Sequence, residues 1–206
     1  MPNVSNVKSK FFGAVDALDA DGISVAATIG SATTLTLGGT LTSGGSNTSG
    51  DNIGQLVTIL SAADDSGITF TVVGTNAVGD AQTEVVTGAD TSTATSSGYF
   101  NTVTSITTSA SSAGNVSAGV TGTGTGTVFA GRTRVRGMQG LGGATAGNIL
   151  LKNTSVTGTT LLTIPTQAAA EQIEPYIPDN GVLFNAGAYV NVGSGVATGT
   201  TVFYDG

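Results

Sequence analysis

Apolar residues recur along this chain in short runs, spaced at about the ten-residue interval of a sandwich or barrel. Within several runs they alternate with polar residues, as in Ile68-Thr-Phe-Thr-Val-Val73, where Ile68, Phe70 and Val72 share one face and Thr69 and Thr71 the other. Such period-two patterning predicts half-buried strands. On this basis strands are expected at Ile23–Ile29, Thr33–Leu37, Leu56–Leu60, Ile68–Val73, Thr83–Thr87, Tyr99–Thr108 and Asn115–Val120. A second set follows at Val128–Met138, Ile149–Asn153, Thr160–Ile164, Tyr176–Ile177, Val182–Asn185, Ala188–Val192 and Thr200–Tyr204. Tyr99–Ile106 does not keep a single register, which predicts a bulge or two buried faces. Glycine-bearing turns separate the runs, and Asp179-Asn180-Gly181 is the strongest of these signals because Asn and Gly tolerate positive φ. The only helices the pattern suggests are short, at Ala14–Ala20 and at Gln167–Glu174 before Pro175.

Between the two sets lies Val120-Thr-Gly-Thr-Gly-Thr-Gly-Thr-Val128, a segment of minimal side-chain bulk. Its alternation suits either a flexible linker or an extended strand tail. The expected architecture is all-β, with two β-sandwich or barrel-like domains, 1–120 and 128–206, joined by a Gly/Thr-rich connector at 121–127.

Composition narrows the chemistry. The chain holds 32 Gly and is rich in Thr and Ser, which suits strands and tight turns, and it has no His and no Cys. That excludes His-dependent triads, thiolate nucleophiles, disulfides and the usual zinc sites. The formal charge of −7 is unevenly spread, since no Lys or Arg occurs from Phe11 to Gly131 while all of Asp16, Asp19, Asp21, Asp51, Asp64, Asp65, Asp80, Glu84 and Asp90 do. An acidic span of this length argues against nucleic acid as a partner. The N-terminal residues lack an apolar core for a signal peptide, and no run approaches the ~18 apolar residues of a membrane-spanning helix. Neither a membrane partner nor a cofactor is therefore expected.

Several motifs invite a chemical reading. Asp16, Asp19, Asp21 and Gly22 have the look of a calcium loop, but Ile23 and Val25 stand where oxygen ligands belong, so a solvated loop is expected. Asp64-Asp65-Ser66-Gly67 reads as a turn whose carboxylates bond their own backbone. Gly140-Leu-Gly-Gly-Ala-Thr-Ala-Gly147 is glycine-rich like a phosphate cradle, yet a strand rather than a helix follows it. Glu84, Glu171 and Glu174 are the only glutamates, and nothing in the sequence sets one beside a second carboxylate as glycoside hydrolysis requires. No catalytic residue is assigned, and no enzyme activity is expected.

The sharpest feature is Arg132-Thr-Arg134-Val-Arg136. On a strand these three guanidinium groups share one face at roughly 7 Å intervals. Two uses are open: internal pairing with Glu171, Glu174 or Asp179, or docking onto an acidic surface of another subunit, with Lys8 and Lys10 assisting.

Phe70-Thr-Val-Val-Gly-Thr-Asn-Ala-Val-Gly-Asp-Ala-Gln-Thr-Glu-Val-Val-Thr-Gly88, continuing through Tyr99–Ile106, resembles sequences in structural proteins of tailed bacteriophages. Ile177-Pro-Asp-Asn-Gly-Val-Leu-Phe184 and the closing Thr201–Tyr204 resemble the C-terminal pattern of small β-rich virion proteins of the same group. The resemblance carries no catalytic residues. It implies a virion structural protein, assembled in the host cytoplasm and released by lysis. The absence of coiled-coil heptads and of a long repeat array favours a compact capsid decoration or cement protein. That role implies many copies bound to the major capsid protein or other virion proteins, and a homo-oligomer. The alternatives are a tail- or fibre-associated protein that contacts the host and a non-catalytic carbohydrate-binding module.

Overall fold

The structure, a computed structural model, describes residues 6–178 and 180–206, and every regular element among them is a β-strand in an antiparallel sheet. In chain order the first nine are β1 (Val7–Gly13), β2 (Asp19–Thr28), β3 (Thr42–Ser43), β4 (Ser46–Thr48), β5 (Gly54–Ser61), β6 (Thr69–Thr75), β7 (Ala81–Thr87), β8 (Thr93–Phe100) and β9 (Thr102–Thr108). The rest are β10 (Asn115–Phe129), β11 (Thr133–Gly142), β12 (Gly147–Asn153), β13 (Thr160–Thr166), β14 (Gln172–Ile173), β15 (Val182–Phe184), β16 (Ala188–Gly193) and β17 (Ala197–Asp205). The all-β class read from the sequence is therefore the observed one. The chain divides into two compact units, each with its own hydrophobic core.

One unit comprises Met1–Val15, Asp51–Ile53 and Thr125–Gly206. One of its sheets runs β1-β17-β11-β14, with β15 also paired to β11; the other contains β13-β12-β16 and the C-terminal part of β10. Alternate residues of both sheets turn inward, so that Phe12, Val135, Met138 and Val202 from the first join Ile149, Leu151, Ile164 and Val190 from the second in one core. Phe12 enters this core because β1 pairs along its whole length with β17, from Val7↔Asp205 to Gly13↔Gly199. The first strand thus packs with the C-terminal part of the chain, not with the residues that follow it in 1–120.

The other unit comprises Asp16–Gly50 and Gly54–Gly124. Its sheet β3-β4-β9-β6-β7 supplies Phe70, Val72, Val86, Val103 and Ile106 to the core; β8-β5-β10, with β2 on β10, supplies Phe100, Val57, Ile59, Val116, Ala118 and Ile23. The irregular register of Tyr99–Ile106 has a simple cause. The run breaks at Asn101, and β8 and β9 on either side pair into different sheets.

Residues 121–127 are not a separate connector: they lie inside the fifteen-residue strand β10, and the units part within it, between Gly124 and Thr125. Gly126 is required there, since a Cβ would stand 2.6 Å from the Phe12 ring.

Both expected helices are absent. Around Ala14–Ala20 the backbone N–H and C=O of Asp16 are each bonded to the buried Gln55 side chain, at 3.2 and 3.1 Å, which competes with helical bonding. In Gln167–Glu174, Ala169 and Ala170 have φ of 74° and 32°, outside the α region, and Gln172–Ile173 pairs with Leu141 and Gly140. Thr33–Leu37 and Tyr176–Ile177 are likewise not strands; the former keeps only the bridge Thr34↔Thr107.

Phe12→Ala is expected to cost about 3–5 kcal/mol, the usual penalty for truncating a fully buried phenylalanine. Urea unfolding of the intact chain measures it, and a variant as stable as the wild type would remove β1 from the core.

Candidate functional site

The arginines are positioned by the strand that carries them. Thr133 and Val135 of β11 are buried, at 3% and 0% exposure, so the alternate residues Arg134 and Arg136 turn to the outer face. The pairing of β11 with β17 shifts register between Val135 and Gly137, leaving Arg136 as the extra residue of a bulge. From there its Nε and Nη2 both donate to Oδ2 of Asp205, at 2.8 and 2.7 Å. This charge-assisted bonding holds the Arg136 guanidinium above its usual pKa.

Arg134 reaches differently. Its Nη1 donates to the carbonyls of Asn180 and Gly181, at 3.1 and 3.4 Å. That turn is closed by a 2.6 Å bond from Gly181 N to Pro178 O, with Gly181 at φ 67°, a conformation glycine adopts without strain. Arg132, exposed just before the strand, has no hydrogen bond or ion pair among the described residues. All three arginines line one open cleft of about 450 Å³, together with Val7, Leu183 and Asp205.

Internal pairing is thus real for Arg136, but its carboxylate is Asp205 and not Glu171 or Glu174, which stay on exposed loop positions flanking β14. Asp179, the third expected partner, lies outside the described residues. The Asp205 pairing left no signal in the sequence, because which strand lies beside β11 is a tertiary matter.

Lys8 and Lys10 do not join the arginines. They share the face of β1 that carries the buried Phe12, opposite Tyr204 and Val202, whereas Arg134 lies opposite Asp205 on the other face of the same sheet. Lys10 Nζ sits 5.9 Å from the Phe12 ring centroid, and burial lowers its pKa.

The remaining candidates are taken up by local structure. Asp19 accepts from Thr40 Oγ1 at 2.7 Å and from Asp21 N at 3.2 Å, which lowers its pKa, while the neighbouring Asp19 carboxyl raises that of Asp21. Asp64 accepts from Ser66 N and Oγ at 3.0 and 2.6 Å, as the turn reading expected, and is lowered by those bonds. Asp65 is buried and accepts from Ala113 N at 2.7 Å. Glu84 spans a β8 bulge, its two oxygens accepting from Ser97 N at 2.6 Å and Gly98 N at 2.8 Å. In the glycine-rich loop, the amides of Gly142, Gly143 and Thr145 donate to Glu171, Val196 and Gly195 carbonyls, so they are not free to cradle a phosphate. Among the described residues no three His, Cys, Asp or Glu side chains are grouped to hold a metal.

Gln55 is a residue the sequence did not single out. Fully buried, it donates to the carbonyls of Asp16 and Thr121 and accepts from Asp16 N and Ser49 Oγ. Beside it, desolvation raises the pKa of the half-buried Asp16 carboxyl, partly offset by a bond from Ser49.

Two outcomes follow from these contacts. Arg136→Gln should lower Tm, whereas Arg132→Gln should leave it at the wild-type value; equal Tm for both would mean that the Asp205 pair contributes nothing. For Asp16, the folded chain binds the proton more tightly than the unfolded one, so its carboxyl costs stability as pH rises from 3.8 through the raised value. Asp16→Asn should therefore melt above wild type at neutral pH, with the gap closing below 3.8. A gap independent of pH would refute the burial argument. No protein family model matches the sequence, and no curated protein or solved structure matches it.

Proposed function

We propose that this chain is a non-catalytic structural protein of a tailed-bacteriophage virion, a decoration or cement protein that docks through its arginine cleft onto a carboxylate-bearing surface of a neighbouring virion subunit, such as the major capsid protein. The observation that carries this reading is the cleft itself: among the described residues, Arg132 and Arg134 have no carboxylate partner, and both open onto the same 450 Å³ space. A guanidinium presents a planar fork of donors that suits carboxylates, so two of them side by side form a contact with directional demand. The use of Asp64, Asp65 and Glu84 as acceptors for backbone amides supports a structural rather than catalytic employment of the carboxylates. The resemblance of Phe70–Gly88 and Ile177–Phe184 to phage structural proteins supplies the biological setting.

The test is binding of purified protein to undecorated capsids. Arg132→Gln/Arg134→Gln should weaken it by about tenfold or more, since charge-assisted contacts of partly desolvated arginine are worth ~1.5–3 kcal/mol each. Copy number per particle locates the protein: a number comparable with that of the major capsid protein supports decoration, and a number matching tail components moves it to the tail. Undiminished capsid binding by a folded double variant would overturn the role of the cleft.

A further inference from the structure

The charges of this chain are segregated between its two units. The Asp16–Gly50/Gly54–Gly124 unit contains Asp16, Asp19, Asp21, Asp64, Asp65, Asp80, Glu84 and Asp90 and no Lys or Arg, whereas all six basic residues fall in the other unit. No carboxylate of the acidic unit has a cation of its own unit to pair with. Most are accommodated by hydrogen bonds, and two of them stand together at the surface. Asp64 and Asp90 stand opposite each other across an antiparallel bridge, and both are exposed. Their hydrogen bonds are to Ser66 and to Thr91, uncharged neighbours in sequence.

The arginine cleft presents the reverse. Arg132, just before β11, and Arg134 are two residues apart, Thr133 between them is buried, and both line the one cleft. Arg136 does not belong to this pair, since it is bonded to Asp205. A two-cation surface and a two-anion surface thus occur on one chain.

We propose that the carboxylates that fill the Arg132/Arg134 cleft are Asp64 and Asp90 of a second copy of this chain. The inference rests on the reading of the cleft as a carboxylate contact and names the neighbouring subunit. Because two different surfaces meet, the contact is heterologous: each copy offers a cleft to one neighbour and an Asp64/Asp90 pair to another, which generates a ring where the rotation closes and an open chain where it does not. Opposed charges on the two surfaces also disfavour cleft-to-cleft and acid-to-acid pairing, which fixes the direction of assembly.

The experiment is sedimentation velocity on the purified full-length protein, without capsids, at low and high salt. The wild type should associate at low salt and dissociate as salt rises. Arg132→Glu/Arg134→Glu and Asp64→Lys/Asp90→Lys should each weaken self-association by about tenfold or more, since both surfaces of a like pair then carry one sign. An equal mixture of the two variants should associate again, because the altered cleft of one meets the altered acid pair of the other while their unaltered surfaces match as in the wild type. Recovery in the mixture shows that both variants fold. A wild type that stays monomeric at low salt overturns the inference, as do variants that associate like wild type, or two inert variants that remain inert when mixed. Failure here leaves the docking reading distinguishable: a monomeric protein whose capsid binding still falls with Arg132→Gln/Arg134→Gln uses the cleft for a different subunit.

Discussion

The burial of Val135, Met138 and Val202 is the constraint on which the arginine cleft depends. A strand has two faces, and once these residues are committed to the core between the two sheets of their unit, Arg134 and Arg136 of β11 and Asp205 of β17 have only the outer face left. The bulge at Arg136 carries its guanidinium to Asp205, and Arg132 and Arg134 line the same cleft without a carboxylate partner among the described residues. A run of three similar residues is thus divided into Arg136, paired with a carboxylate, Arg134, bonded to the carbonyls of the Asn180–Gly181 turn, and the exposed Arg132.

The acidic unit illustrates a second consequence of composition. With no base among its residues, its carboxylates find partners in backbone amides and hydroxyls, each of which is local and directional. Glu84 stitches Ser97 and Gly98 at a bulge, Asp65 takes the amide of Ala113, and Asp64 closes its own turn. Gln55 does the equivalent with a neutral amide, satisfying all four of its hydrogen-bonding positions in a buried setting where a charge would be costly. Such bonds stabilise corners and bulges without ion pairs, and they leave the unit with its negative charge exposed to whatever it meets.

Much of the strand pattern was legible in the sequence because period-two burial leaves a direct mark: β5, β6, β7, β12, β13, β16 and β17 all fall within or around runs read from alternation alone. The segments that depart from the pattern are those governed by something other than alternation. Ala14–Ala20 has helical composition, but Gln55, thirty-nine residues on from Asp16, occupies the backbone groups a helix would use. Gln167–Glu174 has a helical appearance too, but positive φ at Ala169 and Ala170 and pairing with β11 overrule propensity. The Gly/Thr segment reads equally well as linker and strand because both are extended, and only the neighbours of β10 decide between them.

By itself the sequence determined the all-β class, the lack of His and Cys chemistry, the segregation of charge and the common face of Arg134 and Arg136, since each follows from residue identity or from the two-residue repeat of a strand. Tertiary structure alone decided which carboxylate meets which arginine, and on which side of the sheet the lysines fall. Asp205 is sixty-nine residues from Arg136, and a strand order that sets β17 beside β11 is not encoded in either strand's own pattern. Charge alone groups Lys8 and Lys10 with the arginines, but the insertion of Phe12 into the core turns their shared face inward. Burial of one aromatic ring outweighs the mutual positions that like charges suggest, because a strand cannot turn Phe12 inward without carrying the residues two and four before it to the same side.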